Sequence, residues 1–384
     1  MNTDASNAAP TGRPPRPAWV EVDLAALAQN FRLIRADLPA GTRLLYVAKD
    51  DAYGIGAVRA SEVALAHGAD LLAVFTLGEA AALRDAGIRA PILLLGERLP
   101  DELPWVVQLG VETCVGNIAI AQALSGIGTR RGRPVRIHVK VNTGMNRFGF
   151  AWRDVAGWSR ALAGLPGLGF AGVLGHFAQS DETEKAFART QNERFARCLA
   201  VLEEAGIRPD LVHHCNSGGF LDLPEAHHDV VRVGLLAQGV YPSSVCRRLA
   251  GLRTVLSVKA RVAAIQELAP GDTVGYGMRW TAERPSRIGV LPLGYGDGFP
   301  RVRNEGSALV GGRRAPIVGG VTMDALMVDL TDLPSAGIGD EAVLLGRQGD
   351  EEITAQDVAV LKRSVSYDVL TGWRARLPRV YLGA

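Results

Sequence analysis

The chain has 384 residues, 47% of them apolar, and a net charge of +2 from 42 basic and 40 acidic residues. Apolar content of that order is ample for a globular core, and the even charge balance argues against a nucleic-acid binder, which would carry a basic excess or stripe. No run of about 20 apolar residues predicts a membrane span, and four scattered cysteines without metal spacing predict a reduced, cytoplasmic protein.

Residues 1–17, "MNTDASNAAPTGRPPRP", lack the apolar core of a signal peptide and are expected to be a disordered tail. "AWVEVDL" (18–24) reads as a strand. Asp23 is placed to cap a following helix in which Leu24, Leu27, Phe31 and Ile34 share one face. From residue 43 to about 235, short apolar runs then alternate with helical patterns. The runs are "RLLYVAK" (43–49), "DLLAVF" (70–75), "PILLLG" (91–96), "ETCVG" (112–116), "RIHVKV" (136–141), "FAGVLGHF" (170–177), "LVHHCNS" (211–217) and "VVRVG" (230–234). Eight near-continuous apolar strands separated by amphipathic segments predict a parallel (β/α)8 TIM barrel; a doubly wound open sheet would give a similar local pattern. From about 246 the texture changes to Val- and Leu-rich runs divided by Gly, Pro and Asp, with "TAQDVAVLKRS" as the one helical pattern. The expected class is therefore α/β. A barrel domain spans 18–245, its first strand joining the second domain, and a mostly-β domain spans 246–384.

The chain has five lysines; the other 37 basic residues are arginines. One of the five, Lys49, closes the first barrel strand, where a solvated surface charge is not expected. A primary amine can act as a nucleophile and form an imine, which a guanidinium does not readily do. Active sites of barrels lie at the C-terminal ends of the strands. Those ends also bring Tyr53, Lys140 followed by Arg147, His176, Asn216 with Ser217 before two glycines, and Arg232 followed by Gly234. Each alone has a structural reading, as a satisfied histidine, a rim salt bridge or a tight turn. Together, a lysine opposite a hydroxyl- and glycine-bearing turn suits pyridoxal phosphate (PLP), with the aldehyde on the lysine and the phosphate in the turn. Arg232 would keep the pyridine nitrogen unprotonated, which weakens the electron sink and favours prompt reprotonation over elimination or transamination.

The segments "VAKDDAYGIG", "KVNTGMNRFG", "GHF", "NSG", "RVG", "GYG", "LGYGDGFPR", "GGVTMD" and "LPRVY" follow one another in the order of the bacterial alanine racemases. The chain resembles that family of fold-type-III PLP enzymes from about 18 to 381. The resemblance implies a barrel with a C-terminal β domain, PLP as cofactor, a small amino acid as substrate, and a homodimer whose active sites are completed across the interface. It implies that Lys49 holds PLP and is one base, and that Tyr276, from the other subunit, is the second. It pairs Arg232 with the pyridine nitrogen, with His176 orienting it, and assigns Tyr53, Ser217, Gly234 and Leu235 to the phosphate. Arg147 and the backbone N–H of Met323 correspond to substrate contacts, and Tyr295 to a gate tyrosine. Lys140 corresponds to a lysine carbamylated in many members, and Asp324 to a structural residue. Two bases on opposite faces of a planar centre suit racemisation. Both normally titrate near 10, and positive charge from Arg232 and His176 is expected to depress them.

Five positions depart from the family pattern. Ala375 stands for a tyrosine that narrows the pocket, Gln238 for a tyrosine, Thr322 for a cysteine, Gly320 for an arginine of the access corridor, and Trp373 for a smaller aliphatic residue. The expected activity is interconversion of L- and D-alanine. Alternatives are a racemase of serine or of a broader range of amino acids, a non-catalytic PLP carrier, and a decarboxylase of the same fold type.

Overall fold

The computed structural model describes residues 16–383, so the expected tail lies, up to residue 15, outside the described residues. The chain divides into two compact units. One comprises 22–255 with the last residues from Tyr381; the other comprises 16–21 with Leu256–Val380.

The first unit follows the eight apolar runs. Its strands are β2 (Arg43–Val47), β3 (Leu71–Val74), β4 (Ile92–Leu94), β5 (Glu112–Val115), β6 (Val135–Asn142), β7 (Leu168–Leu174), β8 (Val212–His213) and β9 (Val230–Val233). They lie in the order β9-β2-β3-β4-β5-β6-β7-β8, with every neighbouring pair parallel. Backbone bonds from Arg232 N to Cys215 O (3.1 Å) and from Asp229 N to Val212 O (3.0 Å) bring β9 back beside β8. The expected barrel is thus the observed one, and the open sheet is excluded. Strands such as β3 and β4 are buried at every position, as parallel strands covered on both faces must be.

The helices form where caps and apolar faces direct them. Asp23 Oδ1 accepts from Ala26 N (2.8 Å) at the start of α1 (Leu24–Asp37), whose Leu24, Leu27, Phe31 and Ile34 are buried. The helices α2 (Ala57–Ala66), α3 (Leu77–Asp85), α4 (Leu103–Gln108), α5 (Ile118–Arg130), α6 (Val155–Ala163) and α7 (Ala186–Glu204) follow successive strands, and the short α8 (Ser217–Asp222) follows β8. Thr76 and Glu79 form a capping box on α3, and Asn117 caps α5. Under α5, α6 and α7 a core of Val115, Leu124, Ile137, Val139, Trp158, Leu162 and Phe195 is closed from water. On the far side Phe31 meets Tyr46 edge-on, with ring centres 5.0 Å apart.

The second unit is built on antiparallel strands. The strands β10 (Leu256–Arg261), β11 (Ala264–Leu268), β12 (Ser286–Leu291), β13 (Ser307–Val310), β14 (Arg313–Val318), β15 (Leu326–Asp329) and β16 (Glu341–Gln348) are joined by two-residue turns at β10–β11 and β13–β14 and by longer loops elsewhere. The sheet runs β11-β12-β15-β14-β13-β16-β10 and continues into the N-terminal strand β1 (Ala18–Asp23). Its main helix, Ala355–Lys362, carries a capping box from Thr354 and Asp357 and coincides with "TAQDVAVLKRS". Among the described residues no helix is long and apolar enough to cross a membrane, and no three His, Cys, Asp or Glu side chains group as metal ligands. All four cysteines are buried and unpaired.

Candidate active site

Lys49 follows directly on β2, and the backbone after it turns the opposite way from an ordinary helix. Asp50, Asp51, Ala52 and Tyr53 all have φ between +51° and +56°, and Gly54 and Gly56 continue at +85° and +94°. Four non-glycine residues in this region are unfavourable by roughly 1–2 kcal/mol each, so surrounding bonds must hold them. Asp50 N donates to Glu79 Oε1 (2.6 Å), Ala52 N to Ala48 O (3.0 Å), Ala57 N to Asp51 Oδ1 (2.8 Å), and Gln238 Nε2 to Ala52 O (3.2 Å). The turn carries Tyr53 onto Gly234, where a Cβ would lie 2.3 Å from the tyrosine hydroxyl; only glycine fits there. Gln238, one of the departures from the family pattern, is therefore a prop for this turn, buried and also bonded to the Tyr46 hydroxyl (3.1 Å).

Across the barrel end lies a set of anion donors. Asn216 caps α8 by accepting from Gly219 N (2.9 Å), and the Ser217 hydroxyl accepts from Gly234 N (3.3 Å). The N–H groups of Ser217 and Gly218, ahead of that capped position, have no acceptor within the helical turn. With the Ser217 hydroxyl and the N–H of Leu235, beside Tyr53 and Gly234, they make a donor set that fits a phosphate monoester.

Arg232 is buried among acceptors. Its Nη1 meets His213 Nδ1 (3.1 Å), and its Nη2 meets Gly175 O (2.9 Å), His214 O (3.0 Å) and His176 Nδ1 (3.1 Å). Burial lowers its pKa to about 10, so it stays charged at neutral pH. Burial first, and then the charge of Arg232, hold His176, His213 and His214 well below the usual imidazole range. All three rings are neutral; those of His213 and His176 accept from Arg232, while His214 meets it through its backbone carbonyl. The Nε–H of Arg232 has no bond to any described residue, and it suits a ring nitrogen that carries a lone pair rather than a proton. On both counts the residues fit PLP.

The lysines and Arg147 form the third cluster. Burial first, and then Arg147, lower the Lys49 pKa, with Glu79 and Asp50 opposing. The charge expected from Arg232 and His176 is thus not what depresses Lys49. Arg147 does part of that work, and His176, half-buried, is neutral because its ring is desolvated beside Arg232. Lys140 is buried without a hydrogen-bond partner among the described residues, and burial lowers its pKa to about 8. Gly149 passes so close that a Cβ would touch the Lys140 Cγ at 2.8 Å.

In the β unit, Tyr276 stands between Gly275 and Gly277, both at φ +74°, and is 81% exposed. Tyr276, Tyr295 and Met323 share one cleft. The Met323 loop is tied down by Tyr295 N to Thr322 O and Gly296 N to Met323 O, both 2.9 Å. Thr322 closes the same turn, its hydroxyl donating to Ala325 O (2.8 Å) and accepting from Ala325 N (3.0 Å). Asp324 is an ion-pair partner of Arg376. Where the family has an arginine, Gly320 lies beneath Arg303, whose Nε would be 3.8 Å from a Cβ at that position. Ala375 is exposed and Trp373 is buried with its ring 6.4 Å from that of Phe299; neither lines the cleft.

Sequence reasoning missed His138, His213 and Glu112, which extend the bonding of Arg232. The signal was available: in "RIHVK", His138 lies two residues from Lys140, on the same face of β6.

A barrel lysine, a donor set suited to a phosphate and a buried, charged arginine with an N–H left over fit a PLP-dependent enzyme of the barrel type. The sequence matches "Alanine racemase, N-terminal domain" over residues 22–242 and "Alanine racemase, C-terminal domain" over 255–381. It is 41% identical to the alanine racemase of Symbiobacterium thermophilum over 369 residues, covering 96% of this chain and 98% of that one. It is 38% identical to that of Desulfovibrio desulfuricans over 368 residues, with the same coverage. The alanine racemase of Bacillus anthracis with bound L-Ala-P superposes with a TM-score of 0.90 at 33% identity, covering 97% of this chain and 96% of that chain. The alanine racemase of the D-cycloserine producer Streptomyces lavendulae does so at 0.90 and 34%, covering 97% and 98%. The chain belongs to the alanine racemase family.

Proposed function

We propose that this protein interconverts L- and D-alanine with PLP, using Lys49 and Tyr276 as the two bases. The observation that carries the reading is the buried, charged Arg232 with neutral histidines around it and its Nε–H left over. PLP, when bound, withdraws electrons from the α-carbon of the amino acid and makes its proton acidic. Arg232, which donates and keeps its own proton, would leave the pyridine nitrogen unprotonated and hold that withdrawal modest.

The chain's own residues do the rest. Lys49, with its proton affinity lowered, moves the α-proton on one face of the substrate. Tyr276 moves a proton on the other face, and we assign it to a second copy of the chain. Exposed Tyr276, Met278 and Met323, at 81%, 70% and 52%, support a homodimer that covers them. Arg147 and the Met323 N–H bind the substrate carboxylate. Tyr53, Asn216, Ser217, Gly234 and Leu235 hold the cofactor's phosphate end, and His176 keeps Arg232 oriented. Tyr295 gates the pocket mouth. A carbamate on Lys140 would be an anion beside Arg147 and would relieve a buried, unpartnered ammonium. We place the enzyme in the cytoplasm. A barrel-only PLP carrier is not favoured, because the family match extends over 255–381.

Replacement of Lys49 is the first test. Lys49→Ala is expected to abolish both the visible absorbance of bound cofactor and the loss of optical rotation from L-alanine. Retained absorbance, or borohydride fixing the cofactor to another lysine, would overturn the assignment.

A further inference from the structure

Beyond its contacts at the cofactor end, Arg232 is the start of a hydrogen-bonded line through the barrel interior. His213 Nδ1 faces Arg232 Nη1 at 3.1 Å, His213 Nε2 faces His138 Nδ1 at 2.8 Å, and His138 Nε2 faces Glu112 Oε2 at 2.8 Å. Glu112 is the first residue of β5, at the opposite end of the strands from Lys49. His138 is on β6 and His213 on β8, with β7 between them in the sheet. The rings can meet only because Gly172 of β7 has no side chain: a Cβ there would lie 2.3 Å from His138 Nδ1. Both rings are fully buried.

The chemistry of the two ends fixes what lies between. A guanidinium only donates and an ionised carboxylate only accepts. His213 must therefore accept at Nδ1, carry its proton on Nε2 and donate to His138 Nδ1. His138 must carry its proton on Nε2 and donate to Glu112. Glu112 meets the requirement. Burial works against its ionised form, but hydrogen bonds from His138 and Arg136 and the charge of Arg136 outweigh that and leave its pKa below the usual value. Its other oxygen accepts from Arg136 Nε at 2.7 Å. With either tautomer reversed, a buried N–H would face another N–H, or two lone pairs would meet.

We propose that Glu112 is a positioning residue for Arg232: acting through His138 and His213, it fixes both imidazole tautomers so that Arg232 is held with its Nε–H turned to the cofactor ring. The inference rests on the PLP racemase reading for its effect on turnover, though not for the tautomers themselves. It separates Glu112 from a residue that merely holds charge or strands together.

Two conservative variants of the full-length holoenzyme distinguish these roles. Glu112→Gln keeps a carbonyl acceptor at the reach of His138 and loses the charge. Glu112→Asp keeps the charge and draws the acceptor back by one methylene. In wild type, nitrogen-15 NMR of labelled histidines should show both rings protonated at Nε2. Glu112→Gln should keep that pattern and keep kcat within about threefold. Glu112→Asp should lose the pattern and lower kcat about tenfold or more, as expected when a buried donor loses its acceptor, with KM for alanine little changed. Glu112→Gln as damaging as Glu112→Asp, or unchanged tautomers in Glu112→Asp, would overturn the proposal. If Glu112→Asp does not fold, the wild-type spectrum decides, since a proton on Nδ1 of either ring contradicts it. Absence of racemisation by wild type would instead defeat the family reading, with the tautomers still readable.

Discussion

The barrel end and the β-unit cleft offer their groups in opposite ways. At the barrel end, Arg232, Lys140, His213 and His214 are buried and His176 is half-buried, and desolvation shifts each of them away from its ordinary pKa. In the β unit, Tyr276 projects from a glycine-flanked loop and is 81% exposed. The first region tunes its groups within one folded unit. The second presents an exposed group. On the proposed mechanism the chain would thus hold one base already adjusted and another to be covered by a second copy.

The largest expected effect follows from removing the presented group. Tyr276→Phe should lower kcat by about 10²–10⁴-fold, the range of general acid–base catalysis. The absorbance of the bound cofactor should remain, because the barrel end is untouched. Loss of that absorbance would mean that the two regions are not separable in this way.

A second prediction concerns the tuned region. A lysine whose folded pKa lies below its unfolded value destabilises the fold wherever the unfolded amine is charged. For Lys140 that penalty is complete below pH about 8 and is relieved as pH rises from about 8 towards 10.5. Lys140→Met, measured by denaturation of the cofactor-free protein in CO2-free buffer, should therefore be more stable than wild type at pH 7. The gap should be up to about 3 kcal/mol, at about 1.4 kcal/mol per pKa unit, and should close towards pH 10.5. Added bicarbonate should shrink it if Lys140 is carbamylated. A gap that widens with pH would contradict the sign.

The smallest effect is expected at Ala375, which stands where the family pattern has a tyrosine of the pocket wall. Ala375 is exposed, and Trp373 packs on Phe299 without refilling the cleft. Wild type should therefore use serine with a kcat/KM within about tenfold of alanine, and Ala375→Tyr should widen that ratio several-fold, since one small group in a pocket wall is worth about 1–3 kcal/mol. A thousandfold preference for alanine in wild type would mean that the wall is rebuilt from other residues.

Much of this was legible because the strong signals are local. Eight buried strands appear as eight apolar runs, and Lys49 stands out in a chain that otherwise uses arginine. Tyr276 announces itself by the glycines on either side. What was not legible depends on distant partners. "DDAY" has no residue that demands a left-handed turn, and the turn exists because Glu79 and Gln238 hold it. The meeting of His138 with His213 depends on strand order and on Gly172, neither visible in a local pattern. The neutrality of His176 is likewise a product of desolvation beside Arg232, and a sequence reading that counted it as positive charge missed this.

The central claim, that one active site needs a barrel end and a β-unit loop from different copies of the chain, is tested most directly by subunit exchange. Lys49→Ala and Tyr276→Phe are each expected to be nearly inactive alone. Mixed and allowed to exchange, they should form heterodimers in which one site carries both defects and the other carries neither. Activity should rise towards a quarter of the wild-type value at equal mixing, because about half the dimers are mixed and each has one intact site. Heterodimers that form, as seen by native mass spectrometry, yet remain inactive would contradict the shared site.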